Sequence, residues 1–208
     1  MSFLNIAIVG IGLLIFYFGL EILHKRFGIE SWLTRKIAHI VSALVAIPVL
    51  FFLSYQEYLT VLVFFIAFFI MATHKKLLKS IHLEERKTYG EVFFPFGIFF
   101  IALVAYSNHF VAVTSLLILS ISDAFAGIVG RYVAINRKTA LGSMTFFFLT
   151  ALLLIVAYML YGVAFTALHI VYLIFISVAA TFVERISPYG SDNVTVPVAV
   201  AVLLLLLF

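Results

Sequence analysis

Apolar stretches of bilayer-crossing length recur along this chain, separated by short segments that hold nearly all of its charge. A transmembrane helix needs about 20 consecutive, mostly apolar residues. The pattern predicts helices near 3–23, 37–54, 58–73, 92–106, 110–130, 143–161, 164–183 and 194–208. Several are short for a straight crossing. Pro48 falls inside the second, and an aspartate followed by glycines interrupts the fifth, in "SISDAFAGIVGRY". The reading is an all-α, polytopic membrane protein of about eight transmembrane helices, with seven plus a re-entrant segment as the alternative. The N-terminal apolar run lacks a basic flank and a small-residue cleavage site, so it is expected to be the first span and not a signal peptide. No linker or repeat divides residues 1–208, so a single membrane-embedded domain is expected.

The basic residues sharpen this picture. Lys25, Arg26, Arg35 and Lys36 lie between the first and second predicted helices, and Lys75, Lys76, Lys79, Arg86 and Lys87 between the third and fourth. Arg131, Arg137 and Lys138 lie between the fifth and sixth, and Arg185 between the seventh and eighth, which accounts for all 13. The alternate connections carry none. Lys and Arg accumulate on cytoplasmic loops, so every odd-numbered loop is expected in the cytosol and both termini on the non-cytosolic side. Of nine acidic residues, only Glu57 is expected on the outer face.

Composition agrees. The chain is 65% hydrophobic and 11% charged, with a mean hydropathy of +1.25, far too little polar surface for a soluble domain of this size. The absence of cysteine excludes disulfides and thiolate metal sites. A transporter would place polar groups near the midplane, and a channel would need a polar path through the full thickness. The polar inventory instead gathers at one interface, as suits a lipid substrate meeting a soluble cytosolic anion. The stretch "THKKLLKSIHLEERK" reads as an interfacial helix on anionic headgroups.

Within that interface the fifth helix carries the least expected charge. Asp123, Ala126, Gly127, Gly130 and Ala134 share one helical face, a carboxylate followed by a small-residue groove. The loop "GRYVAINRKTALGS" then supplies Arg131, Arg137, Lys138 and Thr139, before Gly142 and Ser143 begin the next helix. Cations and hydroxyls ahead of a helix N-terminus suit phosphate. Three smaller clusters join them: Arg35, Lys36 and His39 in "TRKIAH"; Arg86, Tyr89 and Glu91 in "ERKTYGEVFFPFG"; and Glu184, Asp192 and Asn193 in "VERISPYGSDNVTVPV". With no thiol and no paired histidines, the candidate ligands are oxygens, which suit Mg²⁺. Asp123 and Asp192 are the first choices.

The motifs "RKIAH", "RKTYGEVFFPFG", "SDAFAGIVGRY", "RKTALGS" and "ERISPYGSDNVTVPV", in this order, resemble the CTP-dependent lipid kinases, the group that includes dolichol kinase, phytol kinase and CTP-dependent diacylglycerol kinase. The resemblance spans about residues 35–200. It implies a membrane enzyme that moves the γ-phosphate of CTP to a lipid alcohol with Mg²⁺, the whole chain being one catalytic domain. By position, Asp123, Gly127, Gly130, Arg131, Lys138, Thr139, Gly142 and Ser143 belong to the nucleotide motif. Asp192 and Asn193 match the family's Asp-Asn pair, with Pro197 following and Glu184 upstream. Where members carry a further glycine, this chain has "YVAINRK".

Arg131 and Lys138 are then expected at the phosphates, Asp123 at Mg²⁺, and Asp192 as second ligand or base, the two carboxylate roles being exchangeable. Arg35, Lys36 and His39 are expected to reach the nucleotide from a facing helix, with Arg86, Tyr89, Glu91 and Glu184 in support. Expected partners are CTP, a lipid alcohol and membrane lipids, and no nucleic acid; the oligomeric state is left open. The membrane is either a prokaryotic plasma membrane or that of an organelle, with the active site on its cytosolic face. The alternative is a phosphatidate cytidylyltransferase, but the His-Gly-Gly and Asp-Arg-x-Asp elements of those distantly related enzymes are missing. A third reading is a non-enzymatic membrane protein.

Overall fold

The computed structural model describes residues 3–82, 88–134, 137–163 and 165–207. Among them the chain forms only helices and their connections. They are α1 (Phe3–Phe27), α2 (Ser31–Phe52), α3 (Tyr55–His74), α4 (Gly90–Ala105), α5 (His109–Val133), α6 (Ala140–Leu160), α7 (Ala167–Ile186) and α8 (Asp192–Leu207). All but α4 and α8 are long and apolar enough to cross a membrane. An all-helical bundle of this kind fits a polytopic membrane protein, because a helix satisfies its own backbone where no water can.

The helix starts follow from local chemistry. Ser54 and Glu57 form a reciprocal capping box on α3. Asn108, Thr139 and Thr166 cap α5, α6 and α7 by accepting backbone N–H bonds. Gly28, at a φ of 65°, ends α1 in the left-handed conformation that glycine adopts without strain.

Inside the bundle, α8 packs on α4, α5 and α7, while α5 lies along α6 and α4 along α3. Fully buried Leu116, Phe146, Leu154, Ile176, Val200 and Leu204 fill its centre. Buried hydroxyls accompany them, and Ser122 of α5 meets Thr150 of α6 at 3.2 Å, the interhelical polar contact expected between apolar helices. Outward-facing Ile8, Ile15, Phe148, Phe175 and Phe182 are more than half exposed. So large an exposed apolar face suits lipid contact.

Three local expectations are corrected. α2 begins at Ser31 and not near 37, so Arg35 and Lys36 belong to the helix itself. Its first turns face protein, which lets charges sit within a helix that hydropathy alone would start later. The aspartate–glycine stretch does not interrupt α5; the departure from α-geometry is a π turn at Ile118–Ser122, immediately before Asp123. The described residues 75–82 are turns and not an interfacial helix. Leu78, Ser80 and Ile81 are buried there, the Ser80 N–H donates to Glu21 at 2.8 Å, and Thr34 bonds the Ser80 carbonyl.

Candidate active site

Every site residue of the bundle derives from the end where α2, α4, α6 and α8 begin and α5 and α7 finish. At that end lies a cavity of about 130 Å³ lined by Arg35, Lys36, His39, Asp123, Gly127, Gly130, Arg131, Lys138, Thr139, Gly142, Ser143, Glu184, Asp192 and Asn193. At one probe sphere per water it holds about ten water molecules, room for a chain of phosphates. Trp32 and Arg137 also line it; Trp32 was not anticipated, because a lone tryptophan beside a basic stretch reads as an interface anchor.

Its charges are paired across helices. Lys36 Nζ of α2 donates to Asp123 Oδ2 of α5 at 2.7 Å and to the Asp123 carbonyl at 3.2 Å. Lys138 Nζ, just before α6, sits 2.8 Å from Glu184 Oε1 of α7 and 2.8 Å from Asp192 Oδ2 of α8. Burial pulls the Lys138 ammonium down, but Asp192 and Glu184 together overcome that and hold it above its usual range. Two lysines and three carboxylates from five segments thus face one cavity.

The remaining groups are placed around these pairs. His39 is buried, its Nδ1 3.8 Å from Asp123 Oδ2, and among the described residues neither ring nitrogen has a hydrogen-bond partner. Arg131 lies 3.5 Å from Glu30 and over the Trp32 ring, 4.9 Å from its centroid. Arg185 reaches Ser143 Oγ at 3.3 Å. The Thr139 hydroxyl accepts from the Gly142 N–H at 3.1 Å.

The glycines explain how the helices come so close. A Cβ on Gly127 would stand 2.5 Å from Lys36 Cε, so glycine makes the channel through which Lys36 reaches Asp123. A Cβ on Gly142 would meet the Ala126 carbonyl at 3.0 Å and Gly130 Cα at 3.4 Å. The small-residue face of α5 is therefore used twice, for packing against α6 and as cavity wall.

Tyr89 and Glu91 do not line this cavity. Tyr89 is exposed at the start of α4, its N–H bonded to the Tyr189 carbonyl. Glu91 is buried behind the site, where Arg35 NH1 reaches its Oε2 at 3.4 Å and His82 Nδ1 its Oε1 at 2.8 Å. It braces Arg35, which also reaches Thr88. Arg86 lies outside the described residues.

Missed at the level of sequence was the contact between α4 and the α8 start. A Cβ on Gly97 would fall 1.9 Å from the Asn193 carbonyl oxygen, and one on Gly90 2.0 Å from Arg35 NH2. Asn193 Nδ2 donates to the Gly90 carbonyl at 3.1 Å. Gly190, at a φ of 85°, turns the chain into α8. Three glycines therefore set where Asp192 and Asn193 stand; "YGEVFFPFG" and "PYGSDN" held that signal in their glycines.

Three carboxylates offer only oxygen, the donor set that suits Mg²⁺. Among the described residues no three His, Asp or Glu side chains converge as a complete cage. Mg²⁺ characteristically takes one or two carboxylates and completes its shell with water and substrate phosphates, so the residues present fit it.

An apolar helical bundle of this kind fits a polytopic membrane protein, and among the described residues charged side chains from several helices line a cavity at one of its ends. Comparison with known proteins narrows this. The chain is 26% identical over 214 residues, covering 90% of itself and 70% of its relative, to a protein of Zea mays described as a probable phytol kinase, chloroplastic. That likeness supports a lipid kinase and a transferase of the membrane. No protein-family model and no solved structure matches the chain.

Proposed function

We propose that this chain is a CTP-dependent kinase that phosphorylates a lipid alcohol at the cytosolic membrane face. The observation that carries the reading is the pair of lysine clusters on one cavity, Lys36 with Asp123 and Lys138 with Glu184 and Asp192. A triphosphate competes for both lysines and so frees both aspartates. Phosphoryl transfer asks for positioning and charge neutralisation more than for covalent chemistry. The lipid oxygen bonds to the terminal phosphorus, the bond from that phosphorus to its bridging oxygen breaks, and CDP leaves. The hydroxyl proton passes to Asp123 or Asp192.

Asp123 and Asp192 would hold Mg²⁺ together with the nucleotide phosphates, and the bound cation supplies charge neutralisation. Arg131, Arg137 and Lys138 stand on the phosphate side, with the α6 N-terminus behind them. Trp32, already under the Arg131 guanidinium, offers a flat face to the base. The resemblance of the motifs "SDAFAGIVGRY" and "GSDNVTVPV" to those of the CTP-dependent lipid kinases supports the CTP reading, and the Zea mays relative puts phytol first among the acceptors to be tried.

The test is purified protein with γ-labelled CTP, Mg²⁺ and phytol, a polyprenol or diacylglycerol. Label should enter the lipid with release of CDP. Pyrophosphate release with phosphatidate would replace the reading by cytidylyl transfer. Trp32 is the chain's one tryptophan, so its fluorescence should change as Mg·CTP is added; an unaltered spectrum at millimolar nucleotide would remove the nucleotide from this cavity.

A further inference from the structure

The charged cavity continues into the apolar interior. It shares Arg35 and His39 with a smaller void also lined by Tyr17, Phe69 and Phe94. Those three aromatics in turn line a groove between α1, α2, α3 and α4, walled by Val9, Leu13, Val49, Leu62, Phe65 and Ile98. Three voids with shared walls therefore follow one another from the paired lysines, past His39 and the buried Glu91, to a mostly apolar groove.

The groove is built for hydrocarbon. Its Tyr17 and Ser42 hydroxyls satisfy each other at 2.6 Å, and the Tyr58 hydroxyl donates to the Ala46 carbonyl at 3.3 Å. Water needs two to four polar partners to be held in such a space. One wall of the groove is formed by Val9, Leu13 and Tyr17 of α1, the least buried of the six long helices.

His39 stands at the junction. Its ring stacks on Phe94, with centroids 4.4 Å apart and planes 22° apart. It is 5% exposed, and among the described residues neither nitrogen has a hydrogen-bond partner. Buried polar atoms in native proteins are nearly always paired, so a buried imidazole aimed between a carboxylate and a greasy groove calls for a ligand with one polar end.

We propose that the α1–α4 groove holds the hydrocarbon chain of the lipid acceptor and that His39 binds its hydroxyl beside Asp123. This rests on the lipid kinase reading for the chemistry but not for the location. The acceptor's polar end then meets the nucleotide's terminal phosphate at His39, beside Arg35 and Glu91, while the rest of its chain lies in the mostly apolar groove.

Photolabelling of the full wild-type chain tests the location without requiring turnover. A long-chain alcohol carrying a diazirine near its tail should label peptides of α2, α3 or α4, and excess unlabelled alcohol should suppress this. Labelling confined to α6 or α7, or suppressed equally by bilayer phospholipid, would overturn the site. The methyl ether of the same probe should label at least fivefold less; equal labelling would remove His39's role.

In the kinase assay, Ala46→Phe and Val49→Phe should raise the KM for lipid at least tenfold while the Trp32 response to Mg·CTP stays unchanged. His39→Ala should lose most lipid turnover and most labelling by the alcohol probe, and His39→Gln, which keeps a hydrogen-bonding group, should recover part of both. Unchanged lipid KM in nucleotide-competent Phe variants would also overturn the groove. Absence of transfer to any alcohol, with groove labelling intact, would instead defeat the kinase reading alone.

Discussion

At the scale of single residues, Asp123 is the most exacting position. Its carboxylate neutralises Lys36 in a pair whose side chains are 16% and 18% exposed. Breaking such a buried pair from one side costs about 3–5 kcal/mol, because the remaining charge is left without a partner. Asp123→Asn should therefore lower the thermal unfolding midpoint and reduce phosphate transfer by at least about 10²-fold, the scale of losing one preorganised charge. The double variant Lys36→Met/Asp123→Leu separates the two effects. It should regain most of the stability and none of the activity, measured by thermal unfolding in detergent and by label transfer.

Lys138 gives a pH signature. Its folded pKa is raised above 10.5, so the folded protein holds this proton more tightly than the unfolded chain does. The stabilisation is complete below 10.5 and fades as pH rises through the raised folded value. On the alkaline side, the stability gap between wild type and Lys138→Met should hold up to 10.5 and narrow as pH rises above it. A gap that already closes near neutral pH would show that the lysine is not clamped as described. These candidates were visible in the sequence because charge is rare in it. Their pairing was not: Lys36 and Asp123 are 87 positions apart, and Lys138 and Asp192 are 54. Residues expected to reach separate parts of a ligand instead neutralise one another across helices.

At the scale of elements, α4 and α8 are the pair that positions the site. Gly97 lets the Asn193 carbonyl pass where a Cβ would stand at 1.9 Å, and that neighbour is backbone, which cannot swing aside. Gly97→Ala should cost about 1–3 kcal/mol as overpacking and, by moving the first turn of α8, depress activity more than stability. Gly10→Ala is the control. Nothing lies within 4 Å of its Cβ, and alanine is the better helix former by roughly 0.8–1.0 kcal/mol, so it should be neutral or slightly stabilising. Thermal unfolding with transfer assays on both variants compares them. Each predicted apolar segment overlaps a helix of the described residues, yet hydropathy mistook where α2 begins and missed the π turn. Average apolarity is blind to which face of a helix meets protein, and the Ile118–Ser122 turn leaves no mark on it. π turns are frequent at functional sites, and this one immediately precedes Asp123.

At the scale of the whole molecule, the two short helices place the cavity. α4 and α8 have 16 residues each, about 24 Å at 1.5 Å per residue, against a hydrocarbon core of about 30 Å. The far end of α4 is level with its neighbours: Tyr106, just past it, bonds the Leu53 carbonyl at the turn between α2 and α3. The deficit of α4 therefore falls at its start, at Gly90, which packs against Arg35 and Asn193 of the cavity wall. A shortened α4 thus sets the polar groups of this end back from the ends of the longer helices, which is where the proposed reaction would bring a lipid hydroxyl to a soluble nucleotide. Charge placement predicts that this end faces the cytosol. The cysteine-free chain makes the test clean. Single cysteines at Gln56 and Asn108 should react with an impermeant maleimide added outside, and single cysteines at Lys75 and Arg137 only after the membrane is opened; all four positions are exposed. The Asn108 result decides the most, because α4 alone separates it from the Lys75 side. Labelling of Asn108→Cys together with Lys75→Cys would mean that α4 does not cross, and with it would fall both the eight-span topology and the recessed position of the site.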